Sequence, residues 1–542
     1  MVYFFAKMLM LLVIIVVCGP AWFDAIYDRQ HLLFEFGISK AGIAYVVAIG
    51  IVAAAFFAIP FVKPTLARVV FSVFVMLGVA VEYAFFAVTA SNLNAGVIET
   101  MWDERGAMGG AALNAYLPIL TKAAILFAAG VIVFGFLPPR WASLKARFAS
   151  LPAIAITLVL AITIYTKGGL STFPPFSALT SIVVAAASAK YSGARDSIVY
   201  DGPIQPKIAN ILFIVDESVR SDYLGFNDPS KSTTPYLKSR TAELITFGNA
   251  VAAANCSGSS RFVIRTGLRP DQLPDKDERG LKSPSMWMFA KRAGYRTIYI
   301  DGYATSKNTS ISNHSFMNPS ERDAIDVSDP IDSQPTFNRD MEIVDHIVDA
   351  LKTDGPKFIF VEKNGAHYPY PKAYPPTFRG EEGAFPNPDL TNESDLKRSY
   401  RLAVQWSVDE FFKKLLPQID LSDTLLIYTS DHGQNLFDGG YRLSHCSTTG
   451  NIHPSEAKVP LFAITKNASL DDRFRLAAKM GANRVSHFQL FPTMLDLMGY
   501  EPRFVAGFGR TLFDKPGPNQ WQFFTGHIFG AVQGHRWIEG SR

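Results

Sequence analysis

Three cysteines among 542 residues are too few for a disulfide scaffold. Cys18 lies in an apolar run, which leaves Cys256–Cys446 as the one internal bridge on offer. A strong charge of one sign is also missing. The formal net charge is +4, small for this length, and nothing in it points to nucleic acid. Charged residues are scarce in the first third, and long apolar runs are scarce in the rest. No secretory signal with a clear cleavage site precedes the first apolar run, so that run is expected to be retained as an anchor. Nor is there an internal repeat. What the chain has in plenty is hydrophobic residues, 48% of the total. That is high for a soluble protein, and the excess sits at the amino-terminal end.

Five segments there approach or exceed the roughly 20 apolar residues needed to cross a hydrocarbon core. They lie near 3–23, 42–62, 69–89, 115–137 and 150–166. Lys7 is close enough to the first end to snorkel. Glu82 would be costly against lipid and is expected to face other helices. The short loops carrying Lys63 and Arg68, and Arg140, Lys145 and Arg147, are basic and free of acids, which places them in the cytoplasm. The first loop is mixed, and the third carries Glu99, Asp103 and Glu104 against Arg105. The reading is a multi-pass protein with a cytoplasmic amino terminus and everything after the fifth span on the far side. Residues 1–166 form the expected transmembrane domain. Residues 167–208 are a bridge of turn-rich sequence, a short surface helix and a Pro/Gly linker.

From 209 to 542 strand-like runs alternate with helical patterns. ANILFIV, ITFGNAV, YRTIYI, KFIFVEK, TLLIYTS and VPLFAIT are the candidate strands. The alternation predicts an α/β domain with a mainly parallel sheet covered by helices. Open sheets of this kind carry their chemistry outside the carboxyl ends of the strands. Ile211–Val215 runs into Asp216 and Glu217, and Thr424–Ser430 runs into Asp431 and His432. Adjacent carboxylates repel unless a cation joins them, so the two strand ends read as a divided metal site. Between them, NCSGSSRFVIRTG puts small hydroxyl residues ahead of a helix-like stretch. A serine at a helix amino terminus beside a metal can ionise and act as a nucleophile. The plain alternative is that Ser257 or Ser259 only caps the helix.

Several motifs together resemble the alkaline phosphatase/sulfatase superfamily, and the whole chain resembles its membrane-anchored phosphoethanolamine transferases, the kind that modify lipid A. VDESVR resembles the strand ending in Gly-Glu-Thr, which implies that Glu217 binds metal; Asp216 replaces the Gly as in sulfatases, where both acids are ligands. SDHGQNLFDGGYRLSH resembles the Ser-Asp-His-Gly stretch, with Asp431 and His432 as ligands and His445 on the substrate phosphate. NGAHYPYP resembles the Gly-Ser-His-Gly-Pro stretch and gives His367 a similar role. VIETMWDERG resembles a segment that reaches the active site and assigns Thr100 and Glu104 to substrate, while Lys307 stands near a substrate-binding lysine. Alignment with Cys/Ser-x-Pro-Ser-Arg places Ser257 as nucleophile and metal ligand, with Ser259 as runner-up, and Arg261 as the pattern's arginine, assigned to substrate binding. The departures are Ser-Gly-Ser-Ser after Cys256 where the family has Gly-Thr, Gly96 where it has Asn, and the loss of most family disulfides.

The resemblance implies transfer of phosphoethanolamine from phosphatidylethanolamine to lipid A, lipopolysaccharide or another envelope glycan, through a phosphoserine-type intermediate. It implies a bacterial inner-membrane protein with a periplasmic catalytic domain. The oxygen and nitrogen ligand set suits zinc best and manganese next, as one ion or two. A membrane-tethered phosphatase or sulfatase and a phosphoglycerol transferase are the enzyme alternatives. A non-catalytic assembly protein on a decayed fold is the third class, opposed by the retained acids, Asp-His pair and serine.

Overall fold

The computed structural model describes residues 2–35, 39–89, 93, 98, 109–139, 148, 150–165, 179–183, 193–303, 316–389, 392–440, 445–447, 452–517, 521–526, 528–529 and 536–540. Thr100, Glu104 and Lys307, expected at the substrate, lie outside the described residues.

The amino-terminal part folds into apolar helices α1 (Val2–Glu35), α2 (Ser39–Ala58), α3 (Thr65–Thr89) and α4 (Gly109–Gly130), the last continued by a π-helical turn over Val131–Phe136. Four spans in these helices are long and apolar enough to cross a membrane. The fifth expected span is α5, Leu151–Tyr165, a 15-residue helix about 22 Å long at 1.5 Å per residue. Glu82 is buried among the helices as expected, and its Oε2 accepts a hydrogen bond from Trp22 Nε1 at 3.1 Å. Lys7 does not snorkel. Its Nζ turns inward to the carbonyls of Pro60 (2.6 Å) and Phe134 (3.2 Å), near helix ends, where carbonyls lack intrahelical partners. Arg68 likewise donates to Gly135 O and Val62 O, both at 2.8 Å. The start of α1, the end of α2, the start of α3 and the end of α4 therefore share one end of the bundle.

The soluble domain is built on an eight-stranded sheet. In chain order its strands are β1 (Asn210–Asp216), β2 (Ile245–Val251), β3 (Arg296–Asp301), β4 (Val327–Pro330), β5 (Lys357–Glu362), β6 (Thr424–Ser430), β7 (Lys458–Ile464) and β8 (Val485–Ser486). The spatial order is β4-β3-β5-β1-β6-β7-β2-β8, parallel except for β7, which runs against both neighbours. All six expected strands are present. The short β4 and β8, and a hairpin of β9 (Gln522–Thr525) and β10 (Arg536–Glu539), were not among them.

β1 is central and wholly buried because both faces are covered. Phe213 and Val215 face one apolar cluster, Leu212 and Ile214 the other, which is why the strand reads as an unbroken apolar run. Its register aligns Val215 with Glu362 on β5 and Asp216 with Ser430 on β6. Three strands thus end level with one another.

Truncating Ile214 to alanine should cost about 2–5 kcal/mol of domain stability and lower the thermal unfolding midpoint. Leu158, on the outward face of α5 and 49% exposed, should leave that midpoint nearly unchanged when cut to alanine.

Candidate active site

Because the three strands end level, the residues after them converge. Glu217 follows β1, Lys363 follows β5, and Asp431 and His432 follow β6. Two hydrogen bonds lock the ends together: Lys363 N donates to Val215 O at 3.0 Å and Asp431 N to Asp216 O at 2.9 Å. Ligand atoms of Glu217, Asp431 and His432 lie within 4.8 Å of one another, all fully buried.

The hydroxyl comes from α6, Ser257–Thr266, whose first residue is Ser257. Ser257 Oγ lies 3.2 Å from Glu217 Oε2 and 3.0 Å from His432 Nε2. Ser257, rather than Ser259, is the serine at hydrogen-bonding distance from these two. A disulfide between Cys256 and Cys446 ties the residue before Ser257 to the one after His445. The His445 ring stacks on that of His432, with centroids 4.7 Å apart. The His367 ring is edge-on to that of Tyr303, with centroids 6.0 Å apart. Arg261, one helical turn beyond Ser257, packs on the Tyr303 ring at 4.4 Å. Its guanidinium reaches Glu217 Oε2 at 2.8 Å, Asp431 Oδ2 at 3.1 Å and Glu362 Oε2 at 3.3 Å.

Asp216 stands apart from this cluster. Its Oδ2 accepts from Lys363 Nζ at 2.6 Å and from the Tyr428 hydroxyl at 2.8 Å. Its Oδ1 accepts from the backbone N–H of Glu217 at 2.9 Å. The expected pairing of Asp216 with Glu217 as ligands is therefore not the arrangement seen. A lysine has taken the first acid.

Sequence reasoning also missed Glu362, Lys363, Ser218 and Tyr303. The signal for the first two was available, since KFIFVEK is a buried strand ending in charge just as β1 is. Ser218 gave no signal. It adopts a left-handed φ of 59°, which sends its hydroxyl to Glu217 Oε1 at 2.6 Å and its N–H to Asp431 Oδ1 at 3.1 Å. His487 is buried between Ser260 Oγ (3.1 Å) and Thr429 Oγ1 (3.0 Å). Burial, with His432 nearby, pulls it down to about 3 and keeps it neutral.

Burial raises the Asp431 carboxyl to about 7, with the neighbouring Glu217 charge adding to the shift. Glu217 is also pushed up by burial, but His432 and Arg261 more than offset this and hold it well below the usual carboxylate range. Burial opposes charge on His432, yet Asp431 and Glu217 together lift it to about 9. Two carboxylates, an imidazole and a hydroxyl are a donor set for zinc or manganese. The cluster fits such an ion once His432 gives up its proton.

The sheet, the acid-tipped strands and the serine-led helix define an α/β type of enzyme domain carried on apolar helices. Residues 209–500 match the Sulfatase family, so the chain belongs to the sulfatase family, within the alkaline phosphatase superfamily. It is similar to the Kdo(2)-lipid A phosphoethanolamine 7''-transferase of Escherichia coli K12, at 22% identity over 324 residues, covering 56% of this chain and 53% of that one. It is also similar to an ulvan-active sulfatase of Formosa agariphila, at 24% over 276 residues, covering 43% of this chain and 52% of that one. The chain spans about half the length of these curated relatives. Among solved structures it shares the fold of the integral membrane lipooligosaccharide phosphoethanolamine transferase A of Neisseria meningitidis. There the TM-score is 0.56 at 13% identity, with 89% of this chain and 95% of that one covered.

Two outcomes follow from the geometry. At pH 7 metal uptake should release about one proton or more, because His432 titrates near 9. Affinity should accordingly weaken by about tenfold per pH unit below that value. Calorimetry in two buffers of different ionisation enthalpy checks this, and zero release would contradict it. Gly365 has φ 55°, and a Cβ there would sit 2.2 Å from Asp216 Oδ1. Gly365→Ala should therefore break the junction of β1 and β5 and abolish metal uptake.

Proposed function

We propose that this protein transfers phosphoethanolamine from phosphatidylethanolamine to lipid A or another glycan of the bacterial envelope, through a covalent intermediate on Ser257. The observation that carries the reading is the Ser257 hydroxyl, held at a helix amino terminus between Glu217 and His432, in a domain carried on apolar helices. The similarity to a protein named as a lipid A phosphoethanolamine transferase supports the substrate class.

Glu217, Asp431 and His432, with Ser257, would hold a zinc or manganese ion. When bound, the ion supplies a Lewis acid and lowers the pKa of the serine hydroxyl. Ser257 Oγ attacks phosphorus; the new O–P bond forms as the bond to diacylglycerol breaks, and the departing oxygen takes up a proton. A hydroxyl or phosphate of the acceptor then attacks phosphorus of the phosphoethanolamine–serine ester; its bond to Ser257 Oγ breaks, and Oγ takes back a proton. His367 and His445 would move those protons or bind phosphoryl oxygens. Arg261 bridges the two carboxylates and favours the charged form of Glu217.

The fold also supports a side for the catalytic domain. The Tyr116 hydroxyl, near the start of α4, hydrogen-bonds that of Tyr368 at 2.6 Å, next to His367. Lys7 and Arg68 lie at the opposite end, around the close of α4. If the basic end is cytoplasmic, the catalytic domain is periplasmic, and α5 is the fifth crossing. Contact with α4 also brings the catalytic domain to the membrane surface, where a lipid donor is at hand.

A tethered hydrolase is the second reading, permitted by the Ser-x-x-Ser-Arg spacing, with water in place of the acceptor. Intact-peptide mass spectrometry after incubation with phosphatidylethanolamine tests the lead. A phosphoethanolamine adduct on 255–261 is expected, retained in Ser259→Ala and lost in Ser257→Ala. Loss only in Ser259→Ala would move the nucleophile. Release of free phosphoethanolamine at the same rate with and without acceptor would favour the hydrolase.

A further inference from the structure

The buried acid that the cluster leaves out has its own cation. Lys363 Nζ lies 2.6 Å from Asp216 Oδ2 and 3.5 Å from Asp340 Oδ2, and it donates to the carbonyl of Ser407. An ammonium has three N–H donors and no acceptor; here two go to Asp216 and the Ser407 carbonyl, and Asp340 adds an ion-pair contact. The Phe411 ring, 4.2 Å from Nζ, closes another side. Asp216 and Lys363 are wholly buried and Asp340 nearly so. Without the lysine this would be two carboxylates and a carbonyl around one point, with the Tyr428 hydroxyl on Asp216 Oδ2 beside them. That is an all-oxygen set of the kind calcium or magnesium takes.

We propose that Lys363 is a built-in cation standing where a second metal ion would otherwise bind beside Asp216, so that the centre holds a single ion on Glu217, Asp431 and His432. The proposal rests on the metal-dependent reading above. Lys363 is a positioning residue, and it acts through Asp216. Neutralised by the ammonium, Asp216 stays out of the coordination sphere and spends its other oxygen on the N–H of Glu217 (2.9 Å). The loop after Lys363 returns a second bond, from Ala366 N to Glu217 O at 3.1 Å. The backbone of Glu217 is thereby held from both sides by a unit that contains no metal. A divalent ion at Asp216 would compete for the oxygen that orients Glu217. The lysine cannot exchange, and the orientation is fixed before any metal arrives.

The test is the metal content of the full-length protein in detergent, loaded with zinc alone or with zinc plus calcium and then desalted. Wild type and Asp216→Asn should each keep one zinc per chain and no calcium. Glu217→Gln should lose at least tenfold in zinc affinity. Lys363→Ala should keep the zinc and gain one calcium, which a lysine with a merely structural role would not produce. Zinc loss in Asp216→Asn as large as in Glu217→Gln would overturn the inference while leaving the proposed function standing. A second metal in wild type that disappears in Asp216→Asn would do the same, as would a folded Lys363→Ala that takes up no calcium. If Lys363→Ala does not fold, the comparison of Asp216→Asn with Glu217→Gln decides alone. A wild type that takes up neither zinc nor, offered in its place, manganese would overturn the proposed function and this inference together.

Discussion

The register of three parallel strands is the constraint on which the site depends. Val215 is level with Glu362 and Asp216 with Ser430, so the chain leaves β1, β5 and β6 at one edge and at one height. A slip of one residue in either pairing would turn the alternating side chains to the wrong face. It would also carry Glu217 away from Asp431 by a strand residue, about 3.3 Å, more than the spread a shared ligand tolerates. The apolar clusters on both faces of β1 resist that slip. The core therefore sets the site geometry as well as stabilising the domain.

Crowding acids at one edge has an electrostatic cost, and the structure meets it with side-chain cations. Glu217, Asp431 and Glu362 share Arg261, and Glu362 also lies 3.9 Å from Arg265. Arg265 continues to Glu321 at 3.0 Å, and Glu321 to Arg195 at 2.5 Å. Arg195 belongs to the segment that leads into the catalytic domain. Every member of the chain is fully buried, so each charge requires its neighbour; removing one partner leaves the other uncompensated in a medium that solvates it poorly. Such a network contributes little net stability relative to an apolar core of the same shape. Its effect is specific placement: the arginine of α6 is fixed on both sides, and Ser257 one turn earlier is fixed with it.

The sheet was legible in the sequence because its central strands are buried on both faces and read as apolar runs ended by charge. The short strands β4 and β8 and the β9–β10 hairpin were not legible, since four residues or fewer carry too little pattern. Glu217, Asp431 and His432 were candidates because a motif stands directly at each strand end; the small-residue cluster left Ser257 and Ser259 both open as simple caps, and only the resemblance to Cys/Ser-x-Pro-Ser-Arg singled out Ser257. Asp216 marks the limit of that method. Its identity as an acid at a strand end suggests a metal ligand, but its partner depends on Lys363, 147 residues further on. Only the register of β1 with β5 brings the two together. The left-handed turn at Ser218 is similarly a product of the three strand ends meeting, and no local residue preference announces it.

The membrane helices add a directional argument that neither part supplies alone. Basic side chains at one end of the bundle bind carbonyls at the ends of two helices, α2 and α4, and those carbonyls would otherwise be unsatisfied next to lipid. The catalytic domain meets the bundle at the other end of α4, through Tyr116 and Tyr368. Tyr368 lies on the ring of Tyr370, Tyr370 on Tyr400, and Tyr400 on Tyr223, with centroids 5.5, 5.0 and 4.9 Å apart. The Tyr400 hydroxyl accepts from Arg220 N at 2.9 Å and donates to Ser218 O at 2.6 Å. A continuous row of packed tyrosines thus joins α4 to the turn that orients Glu217. Aromatic rings are bulky and rigid, and a row of them leaves little room for the catalytic domain to shift on the bundle without disturbing that turn. The helices therefore place the catalytic domain at the membrane and also brace the loop on which its candidate metal ligand sits.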